Sequence, residues 1–196
     1  DVAQGQGGHV VSQAQMTRTY PWTDVIDGSE ITFRLMGRED HNAVVSFAQS
    51  LKQDDLMFLR LDITKPVVVE QWIEHIEEGN TVSVLACEGD TIIGYGTLHF
   101  NETNWTRHLG QIRILVQSGR RKLGLGRRLA VEIFQLAREK KLHRIFVQMA
   151  ADQPYVRQLF EDLGFRAEAL LTDWVMDRND RTHDLLIMSH HVEDFG

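Results

Sequence analysis

Residues 110–137 read GQIRILVQSGRRKLGLGRRLAVEIFQLA and hold, in order, an apolar strand pattern, a glycine-rich turn and an amphipathic helix pattern. The strand pattern ends at Val116, and the helix pattern begins at Gly124 with Leu129 and Ile133 on its inward face. A helix that starts just after a strand points unpaired backbone N–H groups and a partial positive charge at one spot. This stretch therefore predicts an anion site, and the five cations among residues 120–128 favour the same interpretation.

The flanking sequence alternates between strand and helix patterns, with turn residues between them. Strands are predicted from Glu30 (ITFRLM), over 81–88 and 91–100, over 110–116 and 144–150, and over roughly 167–176 and 184–192. Helices are predicted from an Asp40 cap, from Thr64 and Pro66 to Gly79, over 124–140, and over 154–163 before Gly164.

This order, β-α-α-β-β-β-α-β-α-β-β, contains two β-α-β crossings. We therefore expect an α/β fold of the α+β type, with helices flanking a central mixed β-sheet. Residues 1–28 are rich in Gln, Gly and Ser without a sustained period, which predicts an N-terminal arm or tail. Residues 29–196 then form one domain, and a homodimer in which the arm packs on a second chain is left open.

The composition excludes several classes of protein. Cys87 is the one cysteine, so disulfide scaffolds and CxxC redox sites are excluded within one chain, and Cys87 is expected in the core. The histidines show no convergent ligand spacing, so no metal is expected. No apolar run is long enough to span a membrane, and the first residues lack the pattern of a signal peptide. We therefore expect a cytoplasmic protein with no membrane partner.

Three phosphate-binding motifs compete for the glycine-rich turn. A P-loop needs Lys and then Ser or Thr after its second glycine, but Leu125 and Gly126 follow Gly124. A dinucleotide fingerprint needs Gly or Ala at the position that Leu129 occupies, so it also fails. The pattern that fits is Arg-x-x-Gly-x-Gly, here residues 121–126.

Taken with its surroundings, this motif resembles the GNAT family of N-acetyltransferases. The family carries the same pattern between a strand and a helix, and residues 158–165 (QLFEDLGF) are similar to the end of its conserved region. The resemblance is close over 81–165 and looser over about 30–192. It implies acetyl-CoA as the cofactor, with the pantetheine arm between the predicted strands 110–116 and 144–150.

Carried over by position, the resemblance implies which residues contact the cofactor. The amide of Val116 would polarise the thioester carbonyl, and the loop would hold the pyrophosphate. The implied cofactor-binding residues are Ile114, Leu115, Val116, Arg121, Lys122, Leu123, Gly124, Leu125, Gly126, Arg127, Gln153 and Phe160. Cations in the first turn oppose the helix dipole, so the cluster is expected to need a bound anion.

The catalytic groups depart from the family pattern. Phe160 stands where many members have a Tyr that protonates the leaving thiolate, and Tyr155 on the same predicted helix is a substitute. Many members also have a Glu base on the strand before the loop, where this chain has Gln111. The remaining candidate bases are His99, Glu102 and His108, of which histidine titrates nearest to neutral pH.

The resemblance implies acetyl transfer from acetyl-CoA to a primary amine by direct attack, with a small-molecule or peptide acceptor. A non-catalytic acyl-CoA-binding sensor or regulatory module is the alternative, because the usual acid and base are missing. Nucleic-acid binding through residues 120–128 is disfavoured, since the net charge is −7 and no aromatic residues interleave the cations.

Overall fold

A computed structural model describes residues 18–57, 59–121 and 123–196 of the chain. It contains one eight-stranded sheet and five helices within these residues. The strands are β1 (Trp22–Ile26), β2 (Ser29–Leu35), β3 (Thr81–Glu88), β4 (Thr91–Phe100), β5 (Leu109–Val116), β6 (Arg144–Ala150), β7 (Arg166–Met176) and β8 (Thr182–His191). The helices are α1 (His41–Ser50), α2 (Gln53–Leu56), α3 (Pro66–Glu77), α4 (Leu125–Glu139) and α5 (Pro154–Asp162).

The sheet is mixed, with the strand order β1-β2-β3-β4-β5-β6-β8-β7. Every neighbouring pair is antiparallel except β5 and β6, which are parallel and are joined by the α4 crossover. The predicted class, helices flanking a central mixed sheet, is confirmed.

The parallel junction is short. Strands β5 and β6 pair only from Leu109 with Arg144 to Gln111 with Phe146, although β5 continues to Val116 and β6 to Ala150. The two strands therefore part towards their carboxyl ends and leave an opening in the middle of the sheet.

Each face of the sheet has its own hydrophobic core, because successive strand residues point to opposite faces. On β3, Val84 and Ala86 join the core that contains α4 and α5, whereas Leu85 and Cys87 join the core under α1 and α3. Cys87 is buried, which confirms it as a core residue, and Trp72 of α3 and Phe134 of α4 are buried as well.

The structure corrects three local predictions near the amino terminus. Residues 22–26, predicted as part of the arm, form strand β1 and pair with β2 across the turn at Gly28. Residues 1–17 of the predicted arm lie outside the described residues. The Asp40 carboxylate does not cap α1, because it bonds Arg34 and the Gly37 amide instead. The predicted polar loop after α1 contains α2.

Candidate functional site

A cavity of about 440 Å³ lies at the opening between β5 and β6. Side chains of α2, α3, β4 and α5 and of the segment between α2 and α3 complete its wall. Of the residues predicted to contact the cofactor or to catalyse, those that line it are Ile114, Leu115, Val116, Arg121, Gln153, Tyr155, Phe160 and His99.

The backbone of β5 turns alternate amides towards this opening. The Gln117 N–H donates to the Ile93 carbonyl at 3.0 Å, which fixes the side of β5 that bonds β4 at that position. Because ladder bonds alternate along an antiparallel pair, the amide of Leu115 also faces β4, and those of Ile114 and Val116 face away from it. At the carboxyl end of β5, the edge that faces away from β4 borders the opening. The Val116 amide therefore faces the opening.

The start of α4 offers further backbone donors beside the cavity. Gly124 precedes the helix with φ +81°, a left-handed conformation that favours glycine, and a Cβ built there would meet no described atom within 4 Å. The first intrahelical bond is from the Arg128 amide to the Gly124 carbonyl, so the amides of Leu125, Gly126 and Arg127 precede it. Among the described residues, no side-chain hydrogen bond caps this helix start. Gly124 and Arg127 are exposed, so this part of the site is an open surface rather than cavity wall.

Most of the described cations around the turn already have carboxylate partners. Arg121 donates from Nη2 to Asp55 Oδ1 at 2.5 Å and from Nε to the Val116 carbonyl at 3.2 Å. Arg120 bonds Glu88, and Arg128 bonds Asp24 of β1. The expectation that the cluster needs a bound anion is therefore wrong for these three arginines.

The other residues of the predicted pyrophosphate loop differ from these three arginines. The Arg127 side chain is exposed, and its Nη1 donates a long hydrogen bond of 3.5 Å to the Asp162 carbonyl. Lys122 lies outside the described residues, and Leu123 is half-buried beside the turn, away from the main cavity.

The end of the cavity nearest the β5–β6 junction is basic. Arg60 donates to Gln111 Oε1 at 2.9 Å and to Gln148 Oε1 at 3.3 Å, and so bridges the two strands just where they part. Arg113 and His99 line the same cavity. Burial, together with the Arg113 and Arg60 cations, lowers the pKa of His99 to about 3.

The predicted acids and bases are placed as follows. Tyr155 lines the cavity with the Arg121 guanidinium 5.3 Å from its ring centroid. Phe160 is buried and packs edge-on to Phe165, with centroids 4.9 Å apart. Glu102 and His108 are exposed in the segment between β4 and β5 and do not line the cavity.

Gln153 lines the cavity and also makes a hydrogen bond to the backbone. Its side-chain Oε1 accepts a bond from the Ala150 amide at 3.3 Å, immediately before α5. That contact supports the turn between β6 and α5, so the side chain already has a structural partner.

Several residues of the site were not predicted from the sequence. Asp55 is the buried partner of Arg121, Arg60 and Arg113 make the basic end, and Asp152 lines the cavity while bonding His183 Nδ1 at 2.7 Å. The second carboxylate on that ring, Asp177, lies 2.9 Å from Nε2, and the pair of acids raises the pKa of His183. Arg113 carried one signal, a cation inside the apolar run GQIRILV.

The described residues contain neither a cluster of metal ligands nor a membrane-spanning helix. Among these residues, no group of three or more His, Cys, Asp or Glu side chains could hold a metal ion. None of the described helices is both long enough and apolar enough to cross a membrane.

The fold and site together define an α/β protein with a cavity at an opening in the middle of its mixed sheet. The model of the acetyltransferase (GNAT) family matches residues 45–165, and the chain belongs to this family. The resemblance inferred from the sequence is thus confirmed. No curated protein sequence matches the chain significantly.

Solved structures of low sequence identity share the fold. A GNAT-family acetyltransferase from Streptococcus pneumoniae superposes with a TM-score of 0.70 at 19% identity, covering 82% of this chain and 99% of that one. Ribosomal-protein-S5-alanine acetyltransferase from Vibrio fischeri gives 0.72 at 18% identity, covering 85% and 95%. Mycobacterium smegmatis RimJ in complex with CoA-disulfide gives 0.73 at 16% identity, covering 92% and 90%.

Proposed function

We propose that the chain is an acetyl-CoA-dependent N-acetyltransferase that acts on a primary amine by direct attack. The observation that carries this proposal is the opening between β5 and β6, towards which the Val116 amide is directed. Family membership supports the general reaction.

The residues present fit coenzyme A in two places. The carboxyl-terminal half of β5 pairs with β4 but not with β6, so its free edge can hydrogen-bond an extended chain as a neighbouring strand would. The first turn of α4 has uncapped amides and open space at Gly124, which suits a pyrophosphate at a helix start. When bound, acetyl-CoA supplies an acyl group activated as a thioester.

The chain's own groups then have distinct tasks. The Val116 N–H donates a hydrogen bond to the carbonyl oxygen as negative charge develops on it, and one such donor is typically worth about 10²–10³-fold in rate. Tyr155, on the cavity wall, is the candidate proton donor for the departing thiolate. His99 accepts or donates hydrogen bonds as a neutral ring, but its pKa of about 3 makes it a weak base at neutral pH.

The acceptor is expected to bind in the cavity with its amine near the Val116 amide, where the thioester would lie. The Vibrio fischeri relative in fold is a ribosomal-protein alanine acetyltransferase, so a protein amino terminus is one acceptor class to test. Small amines are the other class.

The direct test combines ligand binding with turnover. We expect acetyl-CoA and CoA to raise the melting temperature by mass action, and NAD and ATP at equal concentration to raise it much less. Acetylated product should appear with at least one member of a panel of small amines and peptide amino termini. Equal thermal shifts for all four ligands would contradict the cofactor assignment.

Phe160→Tyr separates an enzyme from a binding module. The new hydroxyl occupies the position of the usual acid on the cavity wall, and general acid catalysis is typically worth about 10²–10⁴-fold. We expect CoA affinity to stay within a few-fold and acetyl transfer to rise, or at least not to fall. The measurement is single-turnover product formation beside a CoA titration.

Tyr155→Phe is the matched control for that experiment. It should lower transfer only if Tyr155 has taken the acid's role. If wild type and Phe160→Tyr both bind acetyl-CoA tightly but neither transfers nor slowly hydrolyses it, the protein is the acyl-CoA-binding module instead.

A further inference from the structure

Arg113 places a guanidinium in the cavity without a counter-charge. It lies on β5 opposite Thr97, and its side chain lines the cavity. Its Nε is buried and has no hydrogen-bond partner, and no ion pair reaches the side chain within the described residues. The other two arginines of the cavity differ, because Arg60 bonds two glutamines and Arg121 bonds Asp55.

The surroundings of Arg113 add positive charge instead of neutralising it. Arg60 is close enough to act with burial in lowering the pKa of Arg113 to about 10, so the guanidinium is still charged at neutral pH. Two of the cavity's carboxylates are engaged elsewhere, Asp55 with Arg121 and Asp152 with His183. A half-buried cation whose Nε is buried and has no partner among the described residues is costly in free energy, which favours binding of an anion at this place.

We propose that the acceptor carries a carboxylate as well as its amine, and that Arg113, with Arg60 beside it, binds that carboxylate at the basic end of the cavity. This inference rests on the proposed acetyl transfer and specifies its substrate class. The planar guanidinium fork matches the two oxygens of a carboxylate, and Arg60 gives a second donor at the mouth.

The spacing along β5 suits such a molecule. Arg113 precedes Val116 by three residues, which is about 10 Å along a strand. The long arginine side chain covers part of this distance, so one small molecule can place its carboxylate at Arg113 and its amine near the Val116 amide. A free amino acid and the acidic amino terminus of a peptide share this chemistry.

Matched acceptors distinguish these two sources. The first arm compares glycine, β-alanine, γ-aminobutyrate and glutamate with their carboxamides, in which a neutral amide of similar size replaces a carboxylate. The second arm uses peptides amidated at their carboxyl end that begin Ala-Asp or Ala-Asn. We expect the acid to exceed its amide by about 10- to 100-fold in kcat/KM in one arm, the range of a charge-assisted hydrogen bond.

Binding supplies a readout that does not need turnover. The N-acetylated acids and amides of both arms are titrated calorimetrically into protein saturated with CoA. We expect an N-acetylated acid to bind at least about tenfold more tightly than its amide in the wild type. Arg113→Gln should abolish this preference, Arg113→Lys should keep part of it, and Arg60→Gln should reduce it.

Arg166→Gln is the control, because it removes the same charge from an exposed position on β7 outside the cavity. It should keep the wild-type preference. If Arg113→Gln does not fold, Arg60→Gln is the variant that tests the carboxylate site. The Arg60 side chain is exposed, so its replacement is expected to leave the fold intact.

The outcomes separate the two proposals. Failure of CoA to bind, measured first, overturns the acetyltransferase proposal. Intact CoA binding with no preference for acids in either arm, or a preference that survives in Arg113→Gln, overturns the carboxylate site alone.

Discussion

The basic end of the cavity changes the protonation of His99. Its Nδ1 lies 2.8 Å from the Thr81 hydroxyl, and burial with two nearby guanidinium groups disfavours its protonated form. The ring therefore remains neutral through the physiological range, which suits a positioning group better than a proton acceptor.

The pKa of His99 has a measurable effect on stability. An ordinary unfolded-state pKa of about 6.5 lies above the folded value, so the unfolded chain binds the proton first as the pH falls. Stability is thus lost on acidification below about pH 6.5. We expect His99→Gln to lessen the fall in the free energy of unfolding between about pH 7 and pH 5 by up to about 2 kcal/mol.

Denaturant titrations at both pH values measure this difference. His143→Gln, at an exposed histidine outside the cavity, is the matched control. An unchanged pH dependence in His99→Gln would show that the ring titrates normally.

Motif residues of the site were predictable from the sequence, whereas the basic end was not. Residues 114–116 and Gly124 are implied by the resemblance to the family, which rests on the order of strand, glycine-rich turn and helix. Arg113 alternates with apolar neighbours, as a solvent-facing cation on a half-exposed strand also does. Only the packing of α2, α3 and the segment between them over that face of the sheet makes its position part of a cavity.

At the scale of elements, the start of α4 combines two demands on glycine. Gly124 needs its left-handed backbone, which costs other residues about 1–2 kcal/mol. A Cβ on Gly126 would lie 3.1 Å from Leu159 Cδ2, a flexible side-chain end. The turn is therefore specified by conformation at the first glycine and by close packing at the second.

Valine substitutions test whether this turn holds the pyrophosphate. Gly124→Val and Gly126→Val should each weaken CoA binding by at least about tenfold, because they disturb several amide donors at once. Arg128→Ala, the control, removes a partly exposed pair with Asp24 and should change affinity only a few-fold. Calorimetric CoA titration measures all three, and folded valine variants with wild-type affinity would contradict the assignment.

Element boundaries were predicted best where strands are long and the turns contain glycine. Strands β3, β4 and β6 begin and end as predicted, because their continuous apolar runs are interrupted sharply. Strand β1 has only five residues, and a polar, glycine-rich segment precedes it. Its Asp27-Gly28 turn is a hairpin signal, but the strand's stability comes from pairing with β2 and not from its own pattern.

At the scale of the whole molecule, one buried carboxylate joins the start of the described chain to the main helix. Glu132 of α4 is fully buried, and its Oε2 accepts bonds from Tyr20 Oη at 2.7 Å and Trp22 Nε1 at 3.1 Å. Arg18 Nη2 lies 3.1 Å from Oε1. This cluster holds β1 and the residues before it against the core that supports the site.

Tyr20→Phe measures how much the hydrogen bond from Tyr20 to Glu132 contributes to the free energy of unfolding. Removing one donor from a buried carboxylate should lower the free energy of unfolding by about 1–3 kcal/mol. Thr23→Val, which removes an exposed hydrogen bond on the same strand, should change it by less than about 0.5 kcal/mol. Denaturant unfolding compares them, and equal small effects would show that Glu132 does not depend on Tyr20.

The short parallel junction divides the sheet into two antiparallel halves, β1 to β5 and β6 with β8 and β7. An extended ligand in the opening would act as a missing strand and complete the hydrogen bonding between them. A ligand that binds only the native state suppresses opening of the structure, and proteases cleave the opened state. If the proposed function holds, survival of the chain against proteolysis therefore follows the cell's supply of coenzyme A, and a metabolic shortage shortens the protein's lifetime.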